Sequence, residues 1–294
     1  MSVRLRLLVL TICALLLGGC GLRFAYSQLD WLLPWYVGDY VSLDRTQKRL
    51  LDARLEARLA WHCSSQLTAY SGLLREVERD LGGNEVVGAP ILDAYLQRGE
   101  AFWRVLMKEI TPDAGVLLAA LSDAQVKELG EAFARRNDET REEFLEGTPD
   151  ALRARQIERM EKRLRTWFGP LSAAQRSRVA SWSAGLAPTT EAWLHHRARW
   201  QGALIEVLAQ RQAPDFESRV GALLLEPDSL WAADYRADVA RNRKQTLDLL
   251  ADIFNMASPA QRTHLVNEIA GWAAQFEQLA CTDTPLRTAS IGGR

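Results

Sequence analysis

Four places in this chain of 294 residues set reactive or ligating side chains at spacings that could support chemistry. The first is Cys20, which follows Leu17-Gly18-Gly19 at the end of an uncharged run. Two glycines leave the preceding peptide bond, Gly19 to Cys20, sterically open to cleavage, and a thiol is the side chain that makes a stable thioether. The second is the pair Cys63 and Cys281, the two thiols left once Cys13 and Cys20 are set aside. An even pair in an oxidising compartment invites a disulfide. The alternative for Cys63 is a plain core thiol on the apolar stripe of its helix. Cys281 lies off the stripe of the last helix, where a small hydrophobe has less reason to be. The third is His62 beside Cys63, but neighbours on a helix point about 100° apart, so a reactive thiol–imidazole pair is disfavoured. The fourth is Glu191 with His195, four apart on one helical face. They lack the third ligand a catalytic zinc site needs. His196, between Trp193 and Trp200, reads as a packed core histidine.

Nothing else assembles a reaction centre. The sequence holds no glycine-rich phosphate loop, nucleophile-elbow serine or paired-histidine zinc motif. It therefore assigns no catalytic residue, no metal ligand and no cofactor.

Ahead of Cys20, Arg4 and Arg6 precede a run without charge from residue 7 to 22. That run is shorter than the roughly 20 apolar residues of a membrane-spanning helix. A basic flank, a short apolar stretch and small residues before a break fit a secretory signal instead. The tetrad Leu17-Gly18-Gly19-Cys20 resembles the lipobox of bacterial lipoproteins. The resemblance implies cleavage after Gly19 and acylation of Cys20, leaving residues 1–19 as a leader. Several acyl chains hold a protein stably on a bilayer where one does not. By the sorting rule of Gram-negative lipoproteins, an aspartate after the cysteine favours the inner membrane. Gly21 in that position points to the periplasmic face of the outer membrane.

Without the leader the chain keeps 34 basic against 37 acidic residues, and this balance argues against nucleic-acid binding. Arginine outnumbers lysine 31 to 5, which reads as genome composition before it reads as an anion-binding surface. Residues 135–165 hold nine basic and eight acidic side chains. Glu158–Lys162 and Glu161–Arg165 sit at the favourable four-residue spacing of a self-paired helix surface.

The fold class expected is all-α, a multi-helix bundle. Apolar residues recur three or four apart over long windows, the helical period. One stripe runs Leu51, Leu55, Leu59, Cys63, Leu67, Tyr70, Leu74, Val77 and Leu81. Another runs Leu265, Ile269, Trp272, Phe276 and Leu279. Thr148-Pro149 opens a helix, Gly169-Pro170 ends it, and Gly82-Gly83-Asn84 ends an earlier one. Four segments place a cap residue three before a glutamine: Asp44 with Gln47, Ser122 with Gln125, Ser172 with Gln175, and Ser258 with Gln261. This is the capping-box spacing. Asp44 to Ser172 spans 128 residues and Ser122 to Ser258 spans 136. The near-constant interval suggests two related halves, residues 44–169 and 170–282, followed by a disordered tail over 283–294.

Between Cys20 and the first long helix, residues 20–43 carry six aromatic rings: Phe24, Tyr26, Trp31, Trp35, Tyr36 and Tyr40. Arg23, Asp30, Asp39 and Pro34 interrupt them, so this segment does not span lipid. The rings either lie at headgroup level or pack as core beneath the first long helix. The density of rings favours core.

The stretches FAYSQLDWLLPWYVGDYVSLDRTQKRLLDARLEARLAWH, WFGPLSAAQRSRVASW and LLADIFNMASPAQRTHL resemble an uncharacterised family of Gram-negative lipoproteins classed as a domain of unknown function. The resemblance implies an all-helical lipoprotein and supplies no catalytic residues. The function expected is a membrane-anchored, non-enzymatic binding, scaffold or assembly module of the cell envelope. Its partners are the membrane, through Cys20, and an unidentified envelope protein or lipid. The alternative is a carrier or hydrolase for lipid or cell-wall material, with an apolar pocket between the halves.

Overall fold

The computed structural model describes residues 20–83 and 85–281. The leader, Gly19 of the cleavage site and the expected tail lie outside the described residues. Cys20 opens the first described helix.

Every regular element among the described residues is helical. Two short helices come first, α1 (Cys20–Ser27) and α2 (Leu29–Gly38). Then α3 (Arg45–Trp61) runs through a π-helical turn, His62–Gln66, into α4 (Leu67–Leu81). The long α5 (Ala89–Ala119) carries Pro112 in its interior. It is followed by α6 (Asp123–Leu145), α7 (Pro149–Phe168) and α8 (Ala173–Gly185). The chain closes with α9 (Thr190–Ala209), α10 (Phe216–Leu225), α11 (Ala233–Asn255) and α12 (Pro259–Leu279).

All four cap-and-glutamine segments form complete capping boxes, at the starts of α3, α6, α8 and α12. The glutamines do more than cap. Gln47 and Gln125 exchange amide hydrogen bonds at 2.9 and 2.7 Å. Gln47 also donates to the Ala120 carbonyl, and Gln125 to that of Ser42. Gln175 and Gln261 pair in the same way at 3.2 and 3.0 Å, donating onward to Ile253 and Pro170. Each amide spans two helix starts, so four caps become two joints. A buried amide demands such partners, and Gln175 is fully buried. The helix end at Gly169 is set by a positive φ of 70°, a conformation that glycine adopts without strain.

Two apolar cores lie toward the two ends of α5, one packed by Leu92 and the other by Leu117 and Leu118. One joins Leu164 and Phe168 of α7, Val179 and Trp182 of α8, Leu249 and Ile253 of α11, and Leu265 and Ile269 of α12. The other joins Val41 and Leu43 with Val126 and Leu129 of α6, Leu204 and Leu208 of α9, and Phe216 and Val220 of α10. Each core draws on segments from both sides of Gly169, so a cut there does not separate them. At some 46 Å by its rise per residue, α5 is long enough to touch α10, α11 and α3. Its buried Asp113 is held by Arg54 at 3.1 Å and by Arg58, which also pairs with Glu109. Those pairs fasten α3 to α5.

The aromatic segment departs from the core reading. No residue of α2 is buried, and Phe24, Trp31, Trp35 and Tyr36 each expose more than half of their surface. Two rings are exceptions: Tyr26 packs on His62, and Tyr40 meets Phe133 edge-on at 6.1 Å. The reason lies in the pattern. Apart from Asp30, LDWLLPWYVG is apolar around its whole circumference, so resting one side on α3 leaves the others uncovered.

Candidate functional site

The densest junction of functional side chains lies where α1, the π turn, α4 and α12 meet. The stripe from Leu51 to Leu67 advances by four residues at each step. On a straight α-helix four such steps drift by about 160°. The π turn widens the backbone by one residue there, with the Leu67 amide reaching the His62 carbonyl, and takes up much of that drift. Ser64 and Ser65 donate to the Ala60 and Trp61 carbonyls at 2.9 and 2.6 Å, one turn back along the same helix. Such π turns occur frequently at functional positions.

The turn sends His62 and Cys63 in different directions. His62 is held at both ring nitrogens, Nδ1 by the Tyr26 hydroxyl at 3.0 Å and Nε2 by the Tyr70 hydroxyl at 3.3 Å. Burial lowers the His62 pKa and raises those of Tyr26 and Tyr70, so all three groups are held neutral at pH 7. Tyr70 continues the cluster to Phe102 of α5 and Phe276 of α12, at 4.9 and 5.8 Å between ring centres. Through Tyr26, α1 is tied to the body.

Cys63 is joined to Cys281 in a disulfide across 218 residues of chain. Their Cα atoms lie 5.2 Å apart, well within disulfide range. The Cys281 amide donates to the Cys63 carbonyl at 3.2 Å. Cys281 lies beyond the end of α12 rather than on it. The same seam carries a two-pronged ion pair, Arg75 to Glu277 at 2.9 Å on each prong. That pairing holds the Glu277 carboxyl below its ordinary pKa.

A groove of about 900 Å³ runs between α1–α2 and α3. Its walls are Trp31, Pro34, Trp35, Leu55 and Leu59, and its polar lining holds Asp30, Asp52, Glu56 and Lys48. None of these four charged groups has an ion-pair partner among the described residues. Trp31 and Trp35 stack at 6.5 Å, and each leaves about 60% of its surface open. This groove lies on the outer surface, between the aromatic segment and α3.

Glu191 and His195 line a separate polar cleft of about 650 Å³ with His196, Arg141, Arg199 and Tyr235. Among the described residues no three His, Cys, Asp or Glu side chains are grouped to hold a metal ion. His196 is buried at 6% exposure and lies 4.6 Å from the Tyr235 ring, as a core histidine should. Its Nδ1 has no partner within the described residues. In the charge-dense stretch, Glu161 and Arg165 pair at 3.0 Å. Leu164 is buried, and Ile157, Met160 and Trp167 pack on the same core.

Sequence reasoning did not find the Tyr26–His62–Tyr70 chain, because its members are 36 and 8 residues apart and belong to different elements. The π turn did leave a signal, the unbroken steps of four. None of the described helices is long and apolar enough to cross a membrane.

Neither the curated proteins nor the solved structures contain a match to this chain. A family model covers residues 39–236, taking in all the buried residues of the second core, Cys63 and the clamp on Asp113 while leaving out α1, α2, most of α11 and α12. With two thirds of its length matched, the chain belongs to a family of unknown function, DUF6279.

Proposed function

We propose that this protein is an acyl-anchored, non-enzymatic binding module of the bacterial cell envelope, held through Cys20 on the periplasmic face of the outer membrane. The observation that carries this reading is the joining of Cys63 to Cys281. A structural disulfide persists in an oxidising compartment and is rare in a reducing cytosol. In the chain-entropy account, a loop of 218 residues makes such a bridge worth up to about 5 kcal/mol. Only a compartment that keeps the bond closed supplies that stabilisation. The lipobox-like tetrad ending at Cys20 supports the same location from the other end of the chain.

The binding role rests on the form of the body. Amide joints and arginine–carboxylate pairs tie its helices to one another, and its concavities are surface grooves. Such a surface suits docking of an envelope protein or component. Intact-mass measurement of protein extracted from its native membrane should show a chain beginning at residue 20 with added acyl mass. Density-gradient fractionation should place it with outer-membrane markers. A retained leader or an unmodified Cys20 would overturn the assignment. The carrier reading draws support from the apolar walls of the groove beside α2. Stoichiometric lipid extracted from the purified chain would favour it over the docking role.

A further inference from the structure

We propose that α1 and α2 form a bilayer-seating face, with α2 lying in the plane of the headgroup layer and its groove turned toward zwitterionic headgroups. The proposal deepens the membrane-anchored reading and rests on it for the choice of membrane, whereas the contact itself needs no acyl chain.

The first support is a mismatch between composition and burial. Apart from Asp30, α2 is apolar all round, and such a helix is normally enclosed by protein or lipid, yet no residue of α2 is buried by this chain. Elsewhere exposed aromatic rings are isolated, as with Trp103 and Trp193, although aliphatic side chains are also exposed along the first half of α5. Here Phe24, Trp31, Trp35 and Tyr36 are exposed within residues 24–36, only a few positions after Cys20. The ten residues of α2 make a helix of about 15 Å. That is half the thickness of a hydrocarbon core, so the helix lies in the interface rather than across it.

Side-chain chemistry selects a bilayer over a purely apolar partner. Tryptophan and tyrosine favour the water–lipid boundary, where the ring is buried and the polar edge stays wet. Trp182 and Trp200 each donate their indole N–H to a protein oxygen, at 3.1 and 2.8 Å. Trp31 and Trp35 have no such partner among the described residues, so their N–H groups are left for water or headgroup oxygens. The charges of the groove choose the lipid. Asp30, Asp52 and Glu56 against the single Lys48 leave an excess of negative charge beside the rings. Anionic headgroups are repelled there, while the cationic nitrogen of a zwitterionic headgroup, ethanolamine or choline, is complementary.

The test uses the purified mature chain with Cys20→Ser, which carries no acyl group. Vesicles of phosphatidylcholine are mixed with either phosphatidylethanolamine or phosphatidylglycerol, and binding is read by co-sedimentation and by quenching of tryptophan emission with brominated lipid. The expected result is binding to the ethanolamine vesicles, about tenfold weaker when Phe24, Trp31 and Trp35 are all changed to serine. Asp52→Asn with Glu56→Gln should erase the preference against phosphatidylglycerol. Circular dichroism should show that both variants keep the parent's helicity and melting point.

No binding to either vesicle at millimolar lipid would overturn the proposal, as would equal binding by the triple-serine variant. Concentration-dependent dimerisation that the serine variant abolishes, without vesicle binding, would assign the face to a second copy of this chain and also overturn it. Vesicle binding combined with an unmodified Cys20 would keep this inference and end the anchored reading. The reverse result would do the opposite.

Discussion

Two aromatic regions of this molecule, built from the same kinds of side chain, have opposite fates. Along the α4–α12 seam Tyr70 meets Phe102 and Phe276, with Cys63 and Leu67 buried beside them. In α2, Trp31 and Trp35 touch each other and leave most of their surface open. The stripe of α4 has a polar opposite face, so a single orientation buries the apolar residues and solvates the rest. The α2 stretch has one charge, Asp30, and no continuous polar face, so no orientation against one neighbour can bury its rings. Ring density therefore says little about burial, whereas the contrast between two faces of a helix says a great deal.

The largest effect should come from opening the seam. Cys63→Ala with Cys281→Ser should cost about 3–5 kcal/mol in urea unfolding, and a reducing agent should produce a comparable loss in the parent chain. If stability is unchanged by reductant, the bridge contributes nothing and the seam is held by packing alone. Next in size is Leu67→Ala, at a side chain only 1% exposed. It should cost about 2–5 kcal/mol by transfer and cavity terms together.

A smaller effect tests the Tyr26–His62–Tyr70 chain. Burial lowers the folded-state pKa of His62 below its ordinary 6.5. The unfolded chain then binds the extra proton first, so stability is full above about pH 6.5 and declines as pH falls toward the folded value. Thermal midpoints at pH 7.5 and 5.5 should differ in the parent, and the difference should shrink in His62→Gln. This window lies above the range where Glu76, Asp93 and Glu277 are protonated, because their arginine partners hold those carboxyls below the ordinary range. Parallel pH profiles for parent and variant would remove His62 as the cause.

The smallest effect completes the comparison. Trp31→Ser and Trp35→Ser should each change unfolding stability by less than about 0.5 kcal/mol, since exposed positions away from packed features are tolerant. A loss above 2 kcal/mol would mean that α2 supports the fold and that its exposure understates its packing.

Much of the architecture was readable one helix at a time. Caps, glycine stops and the period of the stripes are local, so the four boxes and the ends at Gly82 and Gly169 could be placed from spacing alone. Even the π turn was foreshadowed by the steps of four from Leu51 to Leu67, although a drifting stripe reads as an ordinary helix until the turn is seen. Tertiary structure alone decided which elements meet. It paired Gln47 with Gln125 and Gln175 with Gln261, and interleaved the chain so that both cores draw on either side of Gly169. It also brought Tyr26 to His62 and left the rings of α2 outside. The division has a physical cause. Backbone hydrogen bonds and caps are satisfied within a few residues and so are written in local spacing. Burial depends on which surfaces remain to be covered once every helix has chosen a neighbour, and that choice belongs to the whole chain.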